Sequence, residues 1–121
     1  MSIGEQTTIE DAQFFVAEDG MSITIGKDCM LSDRIKVYTT DGHSIIDVNL
    51  GERINHAGKV VIGDHVWIGS DVKILKGVEI GRDSVIASGA VVTGSIPPNS
   101  IAAGIPAKVI KQGVSWRRER I

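Results

Sequence analysis

The sequence predicts an all-β fold: a column of short parallel strands wound into a coil, with one protruding loop and a short C-terminal tail. Three observations predict it. Ile62, Ile68, Ile74, Ile80, Ile86 and Val92 recur at every sixth position. The residue after each is mostly small (Gly63, Gly69, Gly81 and Ala87, with Leu75 and Thr93 as exceptions). The fifth position of each step runs Val66, Val72, Val78, Ser84, Ala90, Ile96. Isoleucine, leucine and valine make up about a quarter of the chain, so six successive branched aliphatics do not arise from composition alone.

A period of six fits neither the helical repeat of 3.6 nor a coiled-coil heptad. It contains the strand period of two with a regular interruption, as expected of short flat strands joined by bends. The first position of each hexad then points into the coil and stacks on its equivalents above and below, about 4.8 Å apart. The small residue beside it is expected to relieve the bend through glycine's backbone freedom. This is a hexapeptide-repeat parallel β-helix.

The 121 residues form one domain by length, 1–121, with a loop at about 44–59 and a cap at about 107–121. A solenoid buries a narrow column and leaves its flat faces over, which favours self-association. Aromatics are only 4%, so the core is aliphatic. A net charge of −2 argues against a nucleic-acid partner. No apolar run is long enough for membrane insertion. The N-terminus carries no basic-then-apolar leader, and a single cysteine fits a reducing compartment, so the expectation is a cytoplasmic protein.

The first coils are expected from Ile9 onward to Thr39, because Ile3, Ile9 and Phe15 are six apart and the pattern returns at Ile23, Ile25, Leu31 and Val37. A turn falls at Asp19-Gly20. The next step, His43, breaks the pattern. Ile62 lies 19 residues beyond it, which is not a multiple of six, so residues must leave the column as a loop. Long loops in compact repeats are usually functional. Past Val92, Pro97-Pro98 makes a rigid turn and residues 101–106 form a last coil. Residues 107–111 extend, and the basic Trp116-Arg117-Arg118-Glu119-Arg120 tail is expected as a helical turn over the open end of the column.

His43 is the first candidate for chemistry. It sits in Asp41-Gly42-His43-Ser44, where column gives way to loop, and imidazole exchanges protons near neutrality. Asp41 and Asp47 flank it and can orient its ring or serve the turn. His56 reads as a solvated loop residue and His65 as an outward one. Histidine spacings of 13 and 9 match no short metal motif on one element, so a zinc site would need ligands from more than one subunit and no metal is expected. Cys29 occupies a small-residue slot and reads as packing. Trp67 should face outward and suits a flat or elongated ligand or another subunit. Lys76, Lys108 and Lys111 can meet phosphates.

These residues resemble a known family. The segments Ile25-Gly26-Lys27-Asp28-Cys29-Met30, Asp41-Gly42-His43-Ser44-Ile45, Ile62-Gly63-Asp64-His65-Val66-Trp67-Ile68-Gly69, Ile74-Leu75-Lys76-Gly77-Val78 and Ala103-Gly104-Ile105-Pro106-Ala107-Lys108 are similar to those of the hexapeptide-repeat acyltransferases. The similarity is specifically to O-acetyltransferases of sugars and surface polysaccharides. It implies a left-handed β-helix, an exception to the right-handed crossover rule. It also implies a homotrimer with acetyl-CoA in grooves between columns, and a sugar or glycan acceptor. The family's catalytic base matches His43. Cofactor-binding positions match Trp67, Ser70, Ser88, Thr93, Lys108 and Lys111, while Asp41 and Asn55 fall near the acceptor. Two departures stand out: Ser88 replaces a frequent alanine, and Gly94 replaces a frequent cation. The competing readings are N-acetylation of an amino sugar, a non-catalytic trimeric scaffold, and a γ-type carbonic anhydrase, whose zinc-histidine spacing is not reproduced here.

Overall fold

The computed structural model describes residues 1–121. Fourteen short strands wind into three sheets. Sheet A holds β1 (Ser2–Ile3), β4 (Ile23–Ile25), β7 (Val60–Ile62) and β10 (Glu79–Ile80), adjacent in that order. Sheet B stacks β2 (Thr8–Ile9), β5 (Met30–Leu31), β8 (Trp67–Ile68), β11 (Val85–Ile86), β13 (Ser100–Ala103) and β14 (Lys108–Gln112). Sheet C holds β3 (Ala12–Phe15), β6 (Ile35–Tyr38), β9 (Lys73–Ile74) and β12 (Val91–Val92). The chain visits A, B and C in turn, and pairing is parallel except between β13 and β14. This is the left-handed parallel β-helix that the resemblance implied.

The expected hexad roles are met in the core. Ile62, Ile68, Ile74, Ile80, Ile86 and Val92 are all buried, and so are the fifth-position residues Val66, Val72, Val78, Ser84, Ala90 and Ile96. Each coil aligns its ladder with the next, as in Ile25 on Ile62 and Ile62 on Ile80. Cys29 is buried in such a slot, as its packing role required, and burial pushes its thiol up from the ordinary value.

The glycines play a different part from the one expected. At Gly69 an added Cβ would lie 2.6 Å from Ser88 Oγ and 2.7 Å from Ser88 N, and at Gly81 one would lie 2.3 Å from Pro98 N. They are glycine because the neighbouring coil passes too close for a side chain. The left-handed turns fall two residues later, at the fourth position: Asp28, His65, Asp71 and Asp83 all have φ between 53° and 61°.

The column begins at β1, earlier than the expected Ile9. Phe14, not Phe15, stacks on Val37, so the slip in register precedes the Asp19-Gly20 turn. Phe15 turns outward and stacks on Tyr38 with ring centres 4.8 Å apart. The last coil is incomplete: sheet A contributes only the Ile80–Ile96 bridge, and the chain turns after β13 into antiparallel β14.

The tail also departs from the expected cap. Residues 113–121 contain no helical turn and do not cap the open end. They run down the edge between sheets A and B, because the polar corner residues there offer partners at every coil. Val114 meets Asn99, Ser115 meets Asp83, Trp116 meets His65, and Arg118 reaches Asp28, the Cys29 carbonyl and Thr8. No helix is long and apolar enough to cross a membrane.

Candidate active site

Residues 40–57 leave the column between β6 on sheet C and β7 on sheet A, starting a few residues before the expected boundary, while Thr39 and Gly58 stay in the ladder of coils. They form an arm that is itself a small hairpin. Ile46 bridges Arg53, Ile54 N–H donates to the Ile45 carbonyl, and Asp47 N–H donates to the Glu52 carbonyl. Asp47 serves the hairpin turn, accepting from the Asn49 and Leu50 N–H groups, and is not bonded to the His43 ring.

Two ionic contacts pin the arm. Both guanidinium NH2 groups of Arg53 reach Glu18 at 2.8 Å, and Thr40 also bonds this carboxylate. Arg53 above all, then Thr40, lowers the Glu18 pKa to about 2. Lys76 Nζ lies 3.1 Å from Asp41 Oδ2, so this lysine is committed within the chain rather than free for a phosphate.

His43 stands exposed at the foot of the arm. Its backbone is held by Asn55, which is 5% exposed and has its amide group fully engaged. Asn55 Oδ1 accepts from Ile45 N–H at 2.7 Å, and Nδ2 donates to the His43 carbonyl at 2.8 Å and to Asp41 Oδ2 at 2.9 Å. The bond from Asn55, then the one from Lys76, holds the Asp41 carboxyl below the ordinary carboxylate range. Asn55 was expected to lie near the acceptor, which its place beside His43 and Asp41 leaves open. Within the chain it is the knot of the turn that presents His43, because an amide left unpaired in that position would carry a desolvation penalty.

The other expected site residues fall in three places. Trp67 on β8 is 37% exposed on the outer face of sheet B. Lys111, Ile101, Val85 and Trp67 are paired rung by rung, so Lys111 shares that face about 14 Å away, three strand spacings along the column. Lys108 pairs with Ala103 on the same face. Ser70 and Ser88 follow β8 and β11 on the edge between sheets B and C. The Ser70 hydroxyl bonds Asp33, and Ser88 Oγ accepts from Ser70 N–H at 3.1 Å, a bond that the more frequent alanine would not make. Thr93 lies with His43 at the edge between sheets C and A, apart from the other cofactor positions.

Sheet B is the face opposite the C–A edge of a three-sided column. One chain therefore carries His43 and Trp67 on opposite sides. His56 is exposed on the arm, and no three metal-ligating side chains converge. His65, expected to be solvated, is covered: its ring lies flat on Trp116, 4.0 Å between centres, and Nδ1 is 2.9 Å from Asp83 Oδ1. The sequence carried no periodic signal for that contact or for the Glu18–Arg53 pair, since both join segments far apart in the chain.

Comparison with known proteins agrees with this architecture. Residues 59–94 match the family model described as bacterial transferase hexapeptide (six repeats). The chain is 44% identical to a polysialic acid O-acetyltransferase of Escherichia coli O1:K1 / APEC over 96% of its own length and 38% of the relative's. The crystal structure of a polysialic acid O-acetyltransferase superposes with a TM-score of 0.92 at 43% identity, covering 97% of this chain and 56% of that one. A galactoside acetyltransferase solved in complex with coenzyme A gives a TM-score of 0.70 at 30% identity, over 92% of this chain and 64% of that one. The chain spans about half the length of the curated relatives it matches. Its repeat, its stacking register and its likeness along nearly the whole length to such enzymes agree on one assignment: this chain belongs to the hexapeptide-repeat acetyltransferase family.

Proposed function

We propose that the protein transfers an acetyl group from acetyl-CoA to a hydroxyl of a sugar or glycan, at a site completed by two copies of the chain in a homotrimer. The observation that carries this reading is the separation of His43 from Trp67. Each is exposed, each belongs to a motif resembling the acetyltransferases, and they lie on opposite sides of one column. A neighbouring column set against sheet B brings its own His43 edge to this chain's Trp67. The exposed arm residues Ile45, Ile46, Val48, Leu50 and Ile54 supply apolar surface for such packing, with Val48 93% exposed.

In this arrangement the Trp67 face, with the Ser70–Ser88 edge, receives the pantetheine end of the donor. Lys108 and Lys111 meet its phosphates, and Thr93 joins from the chain that supplies His43. The His43 imidazole accepts the acceptor hydroxyl proton as that oxygen attacks the thioester carbonyl. Collapse of the tetrahedral intermediate expels the CoA thiolate, and the imidazolium returns the proton to sulfur. Asp41 Oδ2 takes both of the carboxylate's internal contacts, which leaves Oδ1 to receive an acceptor hydroxyl.

Calorimetric titration with CoA tests the reading. One equivalent bound per chain is expected, and an absence of binding would leave only the scaffold reading. Polysialic acid and galactosides are the first acceptors to assay, with the acetylated product detected by its mass.

A further inference from the structure

We infer that Trp116 is a positioning residue for Trp67. The inference rests on the proposed role of Trp67 as a wall of the acetyl-CoA groove. Trp67 and Trp116 are the chain's two tryptophans. Their rings lie 6.1 Å apart, tilted by 48°, within the range of a direct aromatic pair.

Trp67 needs such a partner. On the outer face of sheet B its neighbours above and below are Val85 and Met30, both smaller and both flexible or short of its ring. On the side toward the A–B edge, the column's own His65 ring lies beneath the Trp116 ring, which stacks on it with centres 4.0 Å apart. Trp116 fills that side.

The tail is built to put it there. Trp116 is 7% exposed, its Nε1 donates to the His65 carbonyl at 2.7 Å, and its ring lies flat on the His65 imidazole. The His65 ring is itself fixed by Asp83. His65 and Trp67 flank Val66, whose side chain is locked in the core. Flanking contacts hold the tail in register on both sides. Val114 N–H donates to the Asn99 carbonyl and Asn99 Nδ2 donates back, while Arg118, 5.6 Å from the centre of the Trp116 ring, binds Asp28 and the Cys29 carbonyl. A tail that served only to close the edge would not need its one aromatic at the coil that carries Trp67.

CoA affinity of the intact protein and its Trp116→Ala, Trp116→Leu and Trp116→Phe variants tests this. Trp116→Ala and Trp116→Leu are expected to weaken CoA about three- to tenfold, the cost of ordering an unsupported side chain on binding. Trp116→Phe keeps an aromatic wall and is expected to stay within about twofold of the unaltered protein. It also leaves Trp67 as the sole tryptophan, whose fluorescence is expected to change with CoA as a direct signature. A Leu variant that folds and binds CoA within about twofold of the unaltered protein overturns the inference alone. So does a Phe variant as weak as Leu. Should Trp116→Ala not fold, Trp116→Leu decides by the same thresholds. If the unaltered protein binds no CoA, the proposed function fails and the inference fails with it.

Discussion

In the proposed mechanism His43 carries the chemistry, while it contributes almost none of the stability. It is exposed, and its ring has no bonded partner in the chain, so His43→Ala should leave the melting curve within about 0.5 kcal/mol of the original. Acetyl transfer should fall by about two to four orders of magnitude, with CoA affinity retained. A variant with undiminished transfer would remove His43 from its role. Asn55 is its complement. Removing its amide leaves Ile45 N–H, the His43 carbonyl and Asp41 without their partner, so Asn55→Ala should cost about 1–3 kcal/mol and lower transfer through a loosened turn. Differential scanning calorimetry and a transfer assay separate the two effects. The sequence showed His43 because it interrupts a regular pattern. Asn55 was legible only as a neighbour: its work is a set of bonds across ten to fourteen residues, which no local spacing reveals.

At the scale of elements, the inter-coil contact makes a sharp prediction. Gly69→Ala forces a Cβ against the Ser88 backbone and should destabilise by about 1–3 kcal/mol. At Gly94 an added Cβ meets nothing within 4 Å, so Gly94→Lys should fold normally and restore a cation beside the proposed cofactor path. Thermal melts compare the pair, and tighter CoA binding by Gly94→Lys would show that the missing cation matters. Equal melting points for Gly69→Ala and the unaltered protein would contradict the steric account. The arm responds to pH through Glu18. Its folded pKa of about 2 lies below the ordinary 4.5, so its hold on the arm is fully present above 4.5 and is lost as pH falls toward 2. Hydrogen exchange at the Ile45 and Ile54 amides should therefore accelerate over that interval, after correction for intrinsic rates, while the column's amides stay protected. Unchanged arm protection at pH 2 would contradict the anchor. The strands were legible because a six-residue ladder is a local pattern. The hairpin inside the arm and the path of the tail were not, because corner residues such as Asn99, Asp83 and Asp28 look like ordinary turn residues until the coils stack them into one edge.

For the whole molecule, a single column is an incomplete enzyme in this account. The Trp67 face and the His43 edge lie on opposite sides of it, and its arm exposes a run of aliphatic side chains. The ladder in the sequence made the column legible, but the relation between columns is written in which face each motif occupies, and that follows only once the coils are closed. Mixing two disabled chains measures it. His43→Ala and Trp67→Ala subunits, each inactive alone, are co-assembled in equal amounts and assayed with an acceptor that the unaltered protein turns over. Sites formed between chains predict recovery of about one quarter of the full activity, since half of the subunits carry each intact residue and both must meet at one interface. No recovery would place both residues within one chain's site and contradict the account.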